Sequence, residues 1–374
     1  MARSISSHSI APANVLRGDG AWDEALPQIK SRCSSPLVLG RSASTAEQRQ
    51  GLVSDLQGQG LKPLQSQLQF DCCEQDLHRV AAEAQGCDAV LAAGGGKVLD
   101  AGKLLAHRLS RPCITVPLSA STCAGWTALS NIYSPHGAFE GDVALDRCPD
   151  LLVFDHRLVR QAPPRTLASG VADALAKWYE ASVSSGDSSD GLVQQAVQMA
   201  RVLRDQLLID SLMALQDPDS EAWVRTAEAC ALTAGVMGGL GGARCRTVAA
   251  HAVHNGLTQL EACQHGLHGE KVGFGILVQL RLEDRLGGHR LAGQAPRQLL
   301  PLLRQLGLPV SLDDLGLAQA SLSELQEVCR FACREGSDLH HLPFAVTPGA
   351  LLEALVGAAE LSPSKAPGVT AKGK

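Results

Sequence analysis

Histidine and aspartate side chains make the strongest chemical signal in this sequence. Four histidines fall within eighteen residues, at His251, His254, His265 and His268. Asp173 lies far upstream in an alanine-rich helical pattern, where a carboxylate needs a partner because an unpaired buried charge is costly. Imidazole and carboxylate groups together are typical ligands of a first-row metal ion. The pattern favours a metal site, although core histidines and an ion pair between Asp173 and Lys177 are the alternatives.

A second signal is the glycine run Gly94-Gly95-Gly96, where an apolar segment gives way to a helical pattern. Glycines let the backbone approach a ligand closely, and free N–H groups at a helix start attract phosphate oxygens. The segment Pro117–Thr122 leaves another apolar run with three hydroxyls in four residues. Together these loops favour a dinucleotide across the ends of parallel strands. The spacing matches neither a P-loop nor GxGxxG, so plain turns, with Asp100 and Lys103 as a surface pair, remain the alternative.

The elements that must hold these groups alternate in the first half of the chain. Apolar runs are typical of buried strands, and helical spacing follows two of them; the strands are expected at Pro36–Gly40, Cys87–Ala92 and Cys113–Pro117, the helices at Ala46–Gln57 and Lys97–Leu109. This alternation predicts parallel βαβ units. After about residue 163, Ala- and Leu-rich helical patterns dominate. We predict an α/β dinucleotide-binding domain over residues 1–162, an all-α metal and substrate domain over 163–361, and a disordered tail over 362–374.

Composition excludes several classes of partner. The net charge of −5 comes without a basic tract, so nucleic acid is not expected. No apolar run approaches the roughly 20 residues of a membrane span, and the first ten residues do not form a secretory signal. The 12 cysteines are scattered without a CxxC pair, which favours reduced thiols in a cytoplasmic enzyme over a disulfide framework.

Seven segments in order resemble the glycerol dehydrogenases, a branch of the iron-containing alcohol dehydrogenase and dehydroquinate synthase-like superfamily. They are the GGGKxLD run Gly94–Asp100, Ala120–Thr122, Ala128–Tyr133, the GxxDALAxxxE pattern Gly170–Glu180, His251–Thr258, His268–Gly275 and Leu339–Phe344. Each segment alone is a moderate match, but the ordered set is highly specific. The resemblance implies a dinucleotide-binding N-terminal domain, a helical C-terminal domain and a metal in the cleft between them.

Carried over position by position, the resemblance implies the site residues. The metal ligands would be Asp173, His251 and His268; the cofactor contacts would be Gly94, Gly95, Gly96, Lys97, Asp100, Ser119, Ser121, Thr122, Thr127, Leu129 and Tyr133. His254, one turn from a ligand, is the candidate for proton transfer or substrate binding, with a packing role as its alternative. The expected function is NAD- or NADP-linked oxidation of a small alcohol or polyol with a divalent metal, in a homo-oligomer. Zinc is expected over iron, because Lys177 occupies the place of a fourth ligand and a protonated lysine has no lone pair.

Three departures from the glycerol dehydrogenase pattern bear on the substrate and the cofactor. Cys123 replaces an aspartate that contacts the polyol, so we count Cys123 as a substrate residue and expect glycerol to be a poor substrate. Arg244 and Arg246 stand where small uncharged residues are usual. Arg41 follows the first strand, where an acid would hold the adenosine ribose, and so favours NADP. Glycerol-1-phosphate dehydrogenase-like activity and a non-catalytic nucleotide-binding relative are the alternative functions; a dehydroquinate synthase fits the HGEK segment less well.

Overall fold

A six-stranded parallel sheet forms the centre of the N-terminal half. The computed structural model describes residues 7–288 and 292–359, and the tail expected at 362–374 lies outside them. The strands of the sheet are β1 (Val15–Gly18), β2 (Pro36–Gly40), β3 (Leu64–Gln67), β4 (Ala89–Gly94), β5 (Cys113–Pro117) and β8 (Leu151–Asp155). Between β5 and β8 in the chain, β6 (Leu129–Tyr133) and β7 (Phe139–Ala144) form a separate hairpin. Their order is β1-β8-β5-β4-β2-β3, and every pairing is parallel.

Helices cover both faces of this sheet, which explains why β2, β4, β5 and β8 are buried along their whole length. Helices α1 (Ala21–Arg32) and α2 (Ala46–Gly58) pack on one face. Helices α3 (Glu74–Glu83) and α4 (Gly96–Arg108) pack on the other. Because α2 follows β2 and α4 follows β4 on opposite faces, a crevice opens between the carboxyl ends of these two strands. Open α/β sheets bind ligands at this kind of switch point.

The C-terminal half consists of packed helices. After the short α5 (His156–Val159), its helices are α6 (Pro164–Ser185), α7 (Gly191–Gln216), α8 (Glu221–Glu228), α9 (Ala234–Gly241), α10 (Ala243–Arg246), α11 (Ala249–Leu257), α12 (His268–Arg285), α13 (Pro296–Gln305), α14 (Leu322–Ala332) and α15 (Pro348–Val356). Residue 162, the expected domain boundary, lies in the turn between α5 and α6. Helix α6 packs against both α7 and α12 in a shared apolar core, so α6 is held firmly at the junction of the two halves.

Several expectations from the sequence need adjustment. The strand expected to begin at Cys87 begins at Ala89 and continues to Gly94, because Cys87 belongs to the preceding turn. Asp100 and Lys103 form a buried ion pair with Nζ and Oδ1 3.0 Å apart, where a surface pair was the alternative. All 12 cysteines are free thiols, and ten of them are buried. Among the described residues, no helix has the length and apolar character needed to cross a bilayer.

Candidate active site

A cavity of about 420 Å³ lies where the sheet meets the helical half. Its walls come from the loops after β2, β4 and β5, from the β6–β7 hairpin and from helices of the C-terminal half. All twelve residues expected to bind the cofactor line this cavity, as do the three expected metal ligands and Cys123. The structure therefore brings together, in one enclosed space, groups that are spread over more than 200 residues of sequence.

The glycine loop packs closely against its surroundings at the start of α4. A methyl group on Gly94 would lie 2.8 Å from Cβ of Val98, and one on Gly96 would lie 3.0 Å from Oγ1 of Thr122. The contact at Gly94 is shorter than real Cβ atoms make, and at Gly96 the Thr122 side chain would have to move by a few tenths of an ångström. The loop after β5 therefore lies directly beside the first turn of α4, and the hydroxyls of Ser119 and Ser121, 3.1 Å apart, face the same cavity.

Arg41 and Lys97 share one carboxylate at the crevice between β2 and β4. Both side chains form ion pairs with Asp71, whose side chain is almost fully buried, while each cation remains partly exposed at the cavity. Nζ of Lys97 also lies 4.9 Å from the centre of the Tyr133 ring. Two cations and one carboxylate leave one positive charge at this end of the cavity.

The buried Lys103 joins the nucleotide side of the cavity to the hairpin. Its ammonium is paired with Asp100 and donates hydrogen bonds to Oγ1 and the carbonyl oxygen of Thr127, at 3.1 and 3.0 Å, and to the carbonyl oxygen of Leu129. Asp100 in turn accepts a bond from the backbone N–H of Asn131. This network positions the start of β6 over α4, which places Thr127, Leu129 and Tyr133 on the cavity wall.

Asp173, His251 and His268 converge on the opposite wall. Oδ1 of Asp173 lies 3.3 Å from Nε2 of His251 and 3.7 Å from Nε2 of His268. The three candidate ligand atoms all lie within 4.8 Å of one another. Burial opposes ionisation of Asp173, but Lys177, His251 and His268 together hold the pKa of its carboxyl well below the usual value. The site thus presents an ionised carboxylate and two imidazoles to one point.

Hydrogen bonds behind the triad fix which ring nitrogen of each histidine is free. Nδ1 of His251 donates to Oε2 of the fully buried Glu180 at 2.6 Å, so in the neutral imidazole Nε2 keeps its lone pair. Oδ1 of Asn255 accepts from Nδ1 of His254 at 2.9 Å, so Nε2 of a neutral His254 accepts from Nδ1 of His268 at 3.0 Å. Nε2 of His268 then also keeps its lone pair. Both free nitrogens face Asp173. Two imidazole nitrogens and one carboxylate oxygen are a donor set typical of a divalent first-row metal.

Comparison with known proteins gives one consistent result. The family model for iron-containing alcohol dehydrogenase matches residues 12–156. An uncharacterized oxidoreductase of Synechocystis is 51% identical over 95% of this chain and 94% of its own length, and a glycerol dehydrogenase of Escherichia coli O6:H1 is 34% identical over 93% of both chains. The chain belongs to the iron-containing alcohol dehydrogenase family. It is a metal-dependent, nicotinamide-linked dehydrogenase of alcohols or polyols. A crystal structure of a probable glycerol dehydrogenase from Sinorhizobium meliloti has the same fold, with a TM-score of 0.82, 28% identity and coverage of 95% of this chain and 98% of that one.

In this dehydrogenase, His254 lies one helical turn from His251, as the sequence predicted, and contacts His268. It is 2% exposed, does not line the cavity and has both ring nitrogens hydrogen-bonded, which favours the packing role named as the alternative over direct contact with a substrate. Burial, His268 and Lys271 also lower its pKa well below the usual range. Helical geometry explains why His254 does not line the cavity. Three residues after His251, the side chain is rotated toward α12 and reaches His268 instead of the cavity.

Three residues that contribute to the site were not identified from the sequence. Asp71 has no local signal, because its partners lie 30 residues upstream and 26 residues downstream. Glu180 stands seven residues after Asp173, which is two helical turns, so its position on the same face of α6 was a usable signal. Asn255 is adjacent in sequence to His254 and also lines the cavity.

Cys123, Lys177 and Arg246 line the same cavity as the triad. Nζ of Lys177 donates to Oδ1 of Asp173 at 3.0 Å and lies 3.4 Å from Nε2 of His251. Arg244 does not line this cavity; its side chain is exposed on the other side of α10, beside a second cavity. Only one of the two arginines noted in the sequence therefore reaches the site.

Proposed function

We propose that this dehydrogenase oxidises the C–OH group of a small alcohol or polyol at a divalent metal held by Asp173, His251 and His268. The observation that supports the assignment is the convergence of three ligand atoms within 4.8 Å, in the wall of the cavity that Gly94, Gly95 and Gly96 also line. A divalent ion with three protein ligands has an open position, and when bound it lowers the pKa of an alcohol hydroxyl.

The protein's own residues then bind and orient the reactants. The N–H groups at the start of α4 are available to the pyrophosphate, with Ser119, Ser121 and Thr122 as hydroxyl partners on the adjacent loop. Thr127, Leu129 and Tyr133 are assigned to the nicotinamide side, held there by the Lys103 network. A nicotinamide cofactor bound there would supply a hydride acceptor for the alcohol carbon, and the protein would contribute binding and alignment.

The ligand assignment is tested by replacing histidines that differ in position. His268→Ala is expected to remove most activity and weaken metal binding, while leaving cofactor binding measurable, because His268 lies on the helical half. His265→Ala is the matched control, since His265 is exposed and does not line the cavity. Normal turnover and full metal content in His268→Ala would contradict the assignment.

We infer zinc in preference to iron. Lys177 stands one helical turn after Asp173, and its ammonium donates to Asp173 and so offers no lone pair. Three ligands with an open position are usual for catalytic zinc. Metal analysis of protein purified without added metal tests this inference; full occupancy by iron with no zinc would overturn it.

We also propose that the cavity accepts NADP. Arg41 lies at the end of the crevice between β2 and β4, where the adenosine ribose is expected. Together, Arg41, Lys97 and Asp71 carry one net positive charge. A 2′-phosphate is favoured by such a charge, although it must share Arg41 with Asp71. The values of kcat/KM for NADP and NAD measure the preference. Arg41→Ala should lower the NADP value more than the NAD value; a clear preference of the unaltered protein for NAD counts against the proposal.

We propose a homo-oligomer that works in a reducing compartment such as the cytoplasm. Helix α7 exposes Val202, Ile209 and Met213, with exposures of 66%, 78% and 53%, at spacings of seven and four residues that place them on one face. Light scattering of the unaltered protein and of Ile209→Glu tests the association.

The free thiols support the proposed reducing compartment, and alkylation without a reductant is expected to modify all 12 cysteines under denaturing conditions.

A further inference from the structure

Arg246 lines the cavity that also contains the triad, and it borders a second cavity beside Gly238 and Gly239. Among the described residues, none forms an ion pair or a side-chain hydrogen bond with Arg246, and its Nε is buried without a partner. Lys177, by contrast, is paired with Asp173. A guanidinium that lines a cavity without an ion-pair partner favours an anionic group at that position.

The surroundings of Arg246 hold its side chain at the cavity and leave its charge uncompensated. Its aliphatic stem crosses α9 at Gly238, where an added methyl group would lie 2.8 Å from Cγ and Cδ of the arginine. The neighbouring wall residue Cys123 is an uncharged thiol within electrostatic range of both Arg246 and Lys177. Asp338 also lines this cavity, but in the described part of the chain it forms no ion pair with Arg246; its Oδ1 lies 3.7 Å from Nδ1 of His341.

We propose that the substrate carries an anionic group, a carboxylate or a phosphate, which binds Arg246 while the hydroxyl lies at the triad. This inference rests on the proposed function of the triad. Guanidinium groups bind carboxylates and phosphates through two parallel N–H···O bonds, so an arginine on the cavity wall suits either anion. In the oxidation, the carbinol C–H bond breaks and its hydride passes to the nicotinamide. The hydroxyl proton is released to solvent, and the anionic group is unchanged.

The test uses three compounds with one carbon skeleton: glycerol, glycerate and glycerol 1-phosphate. The unaltered protein is expected to have a higher kcat/KM for at least one anion than for glycerol, and the better anion identifies carboxylate or phosphate. Arg246→Gln should lower the ratio of anion to glycerol kcat/KM by about 10- to 150-fold, the range for loss of a charged hydrogen bond. Arg244→Gln is the matched control, because Arg244 does not line this cavity.

A binding measurement separates failure of this inference from failure of the proposed function. With NADH or NADPH bound, the thermal unfolding midpoint of the unaltered protein should rise with glycerate or glycerol 1-phosphate, and this rise should shrink in Arg246→Gln. If that dependence appears without turnover of any alcohol, the anion site stands and the proposed function fails. If glycerol is the best substrate, if Arg246→Gln lowers all three activities equally, or if neither anion raises the midpoint, the inference is overturned.

Discussion

At the scale of single residues, Glu180 determines the state of a proposed metal ligand. Its Oε1 accepts from the backbone N–H groups of Val248 and His251 at 2.7 and 3.0 Å, and its Oε2 accepts from Nδ1 of His251. Three donors therefore meet one carboxylate that is fully buried. Carboxylates that bind the second nitrogen of a ligating histidine fix its tautomer and raise its basicity. We assign Glu180 this positioning role.

Glu180→Gln tests the assignment. A glutamine has one acceptor oxygen, so its NH₂ group must face either His251 Nδ1 or the two backbone donors. Facing Nδ1, it favours the tautomer with the proton on Nε2, which cannot bind a metal. We expect metal affinity to fall about 10- to 100-fold, measured by competition with a chelator. Glu283→Gln, another buried carboxylate on α12, should leave the affinity unchanged. Equal affinities for the unaltered protein and Glu180→Gln would rule out the role.

At the scale of the elements, the site depends on close contact between α6 and α12, which carry Asp173 and His268. Gly269 makes this contact possible, because a methyl group there would overlap the carbonyl oxygen of Ser169, and its N–H donates to Oγ of Ser169 at 3.0 Å. The two helices therefore approach at backbone distance beside the triad. A larger residue at position 269 must push them apart.

Gly269→Ala is expected to lower the free energy of unfolding by about 1–3 kcal/mol, the usual cost of overpacking. It should weaken metal binding as well, since the displaced helices carry two of the proposed ligands. Urea unfolding of the metal-free proteins and chelator competition measure the two effects. Gly51→Ala on α2 is the control: nothing lies within 4 Å of the added methyl, so stability should stay the same or rise. Gly269→Ala with unaltered stability would show that the helices can separate freely.

The sequence predicted some elements much better than others, for physical reasons. Strands β2 and β5 begin and end as expected, because each is a continuous buried apolar run. Strand β3, Leu-Gln-Ser-Gln, has one buried residue in four and no apolar pattern, so only its pairing with β2 identifies it. Strand β6 lies in the segment Ala128–Tyr133, which was recognised as a family match but not as a strand, and β7 was not recognised. In the same way, the triad could be recognised in the sequence from its residue types, whereas the role of Asp71 depends on contacts that only the folded chain creates.

At the scale of the whole molecule, the two halves of the chain contribute different groups to the cavity. The ends of parallel strands provide the proposed cofactor contacts, and buried helices provide the proposed metal ligands, with α6 between them. Such an arrangement places charged and polar groups deep inside the helical half, where burial changes their pKa values. One of these groups, Glu283, lies away from the triad, and we expect it to make the stability of the whole chain depend on pH.

Burial raises the pKa of the Glu283 carboxyl from its ordinary value of 4.5 to about 7, opposed only by a hydrogen bond from Gln279. Between these pH values the unfolded chain has lost a proton that the folded protein keeps, so stability falls as pH rises through this window. Glu283→Gln keeps an oxygen for Gln279 and removes the titration. The unfolding free energy of Glu283→Gln minus that of the unaltered protein should therefore be larger at pH 8 than at pH 5, by on the order of 2 kcal/mol. Urea unfolding at both pH values measures this, with the exposed Glu261→Gln as control. The same difference between variant and unaltered protein at pH 5 and pH 8 would mean that Glu283 ionises in the folded protein without a penalty.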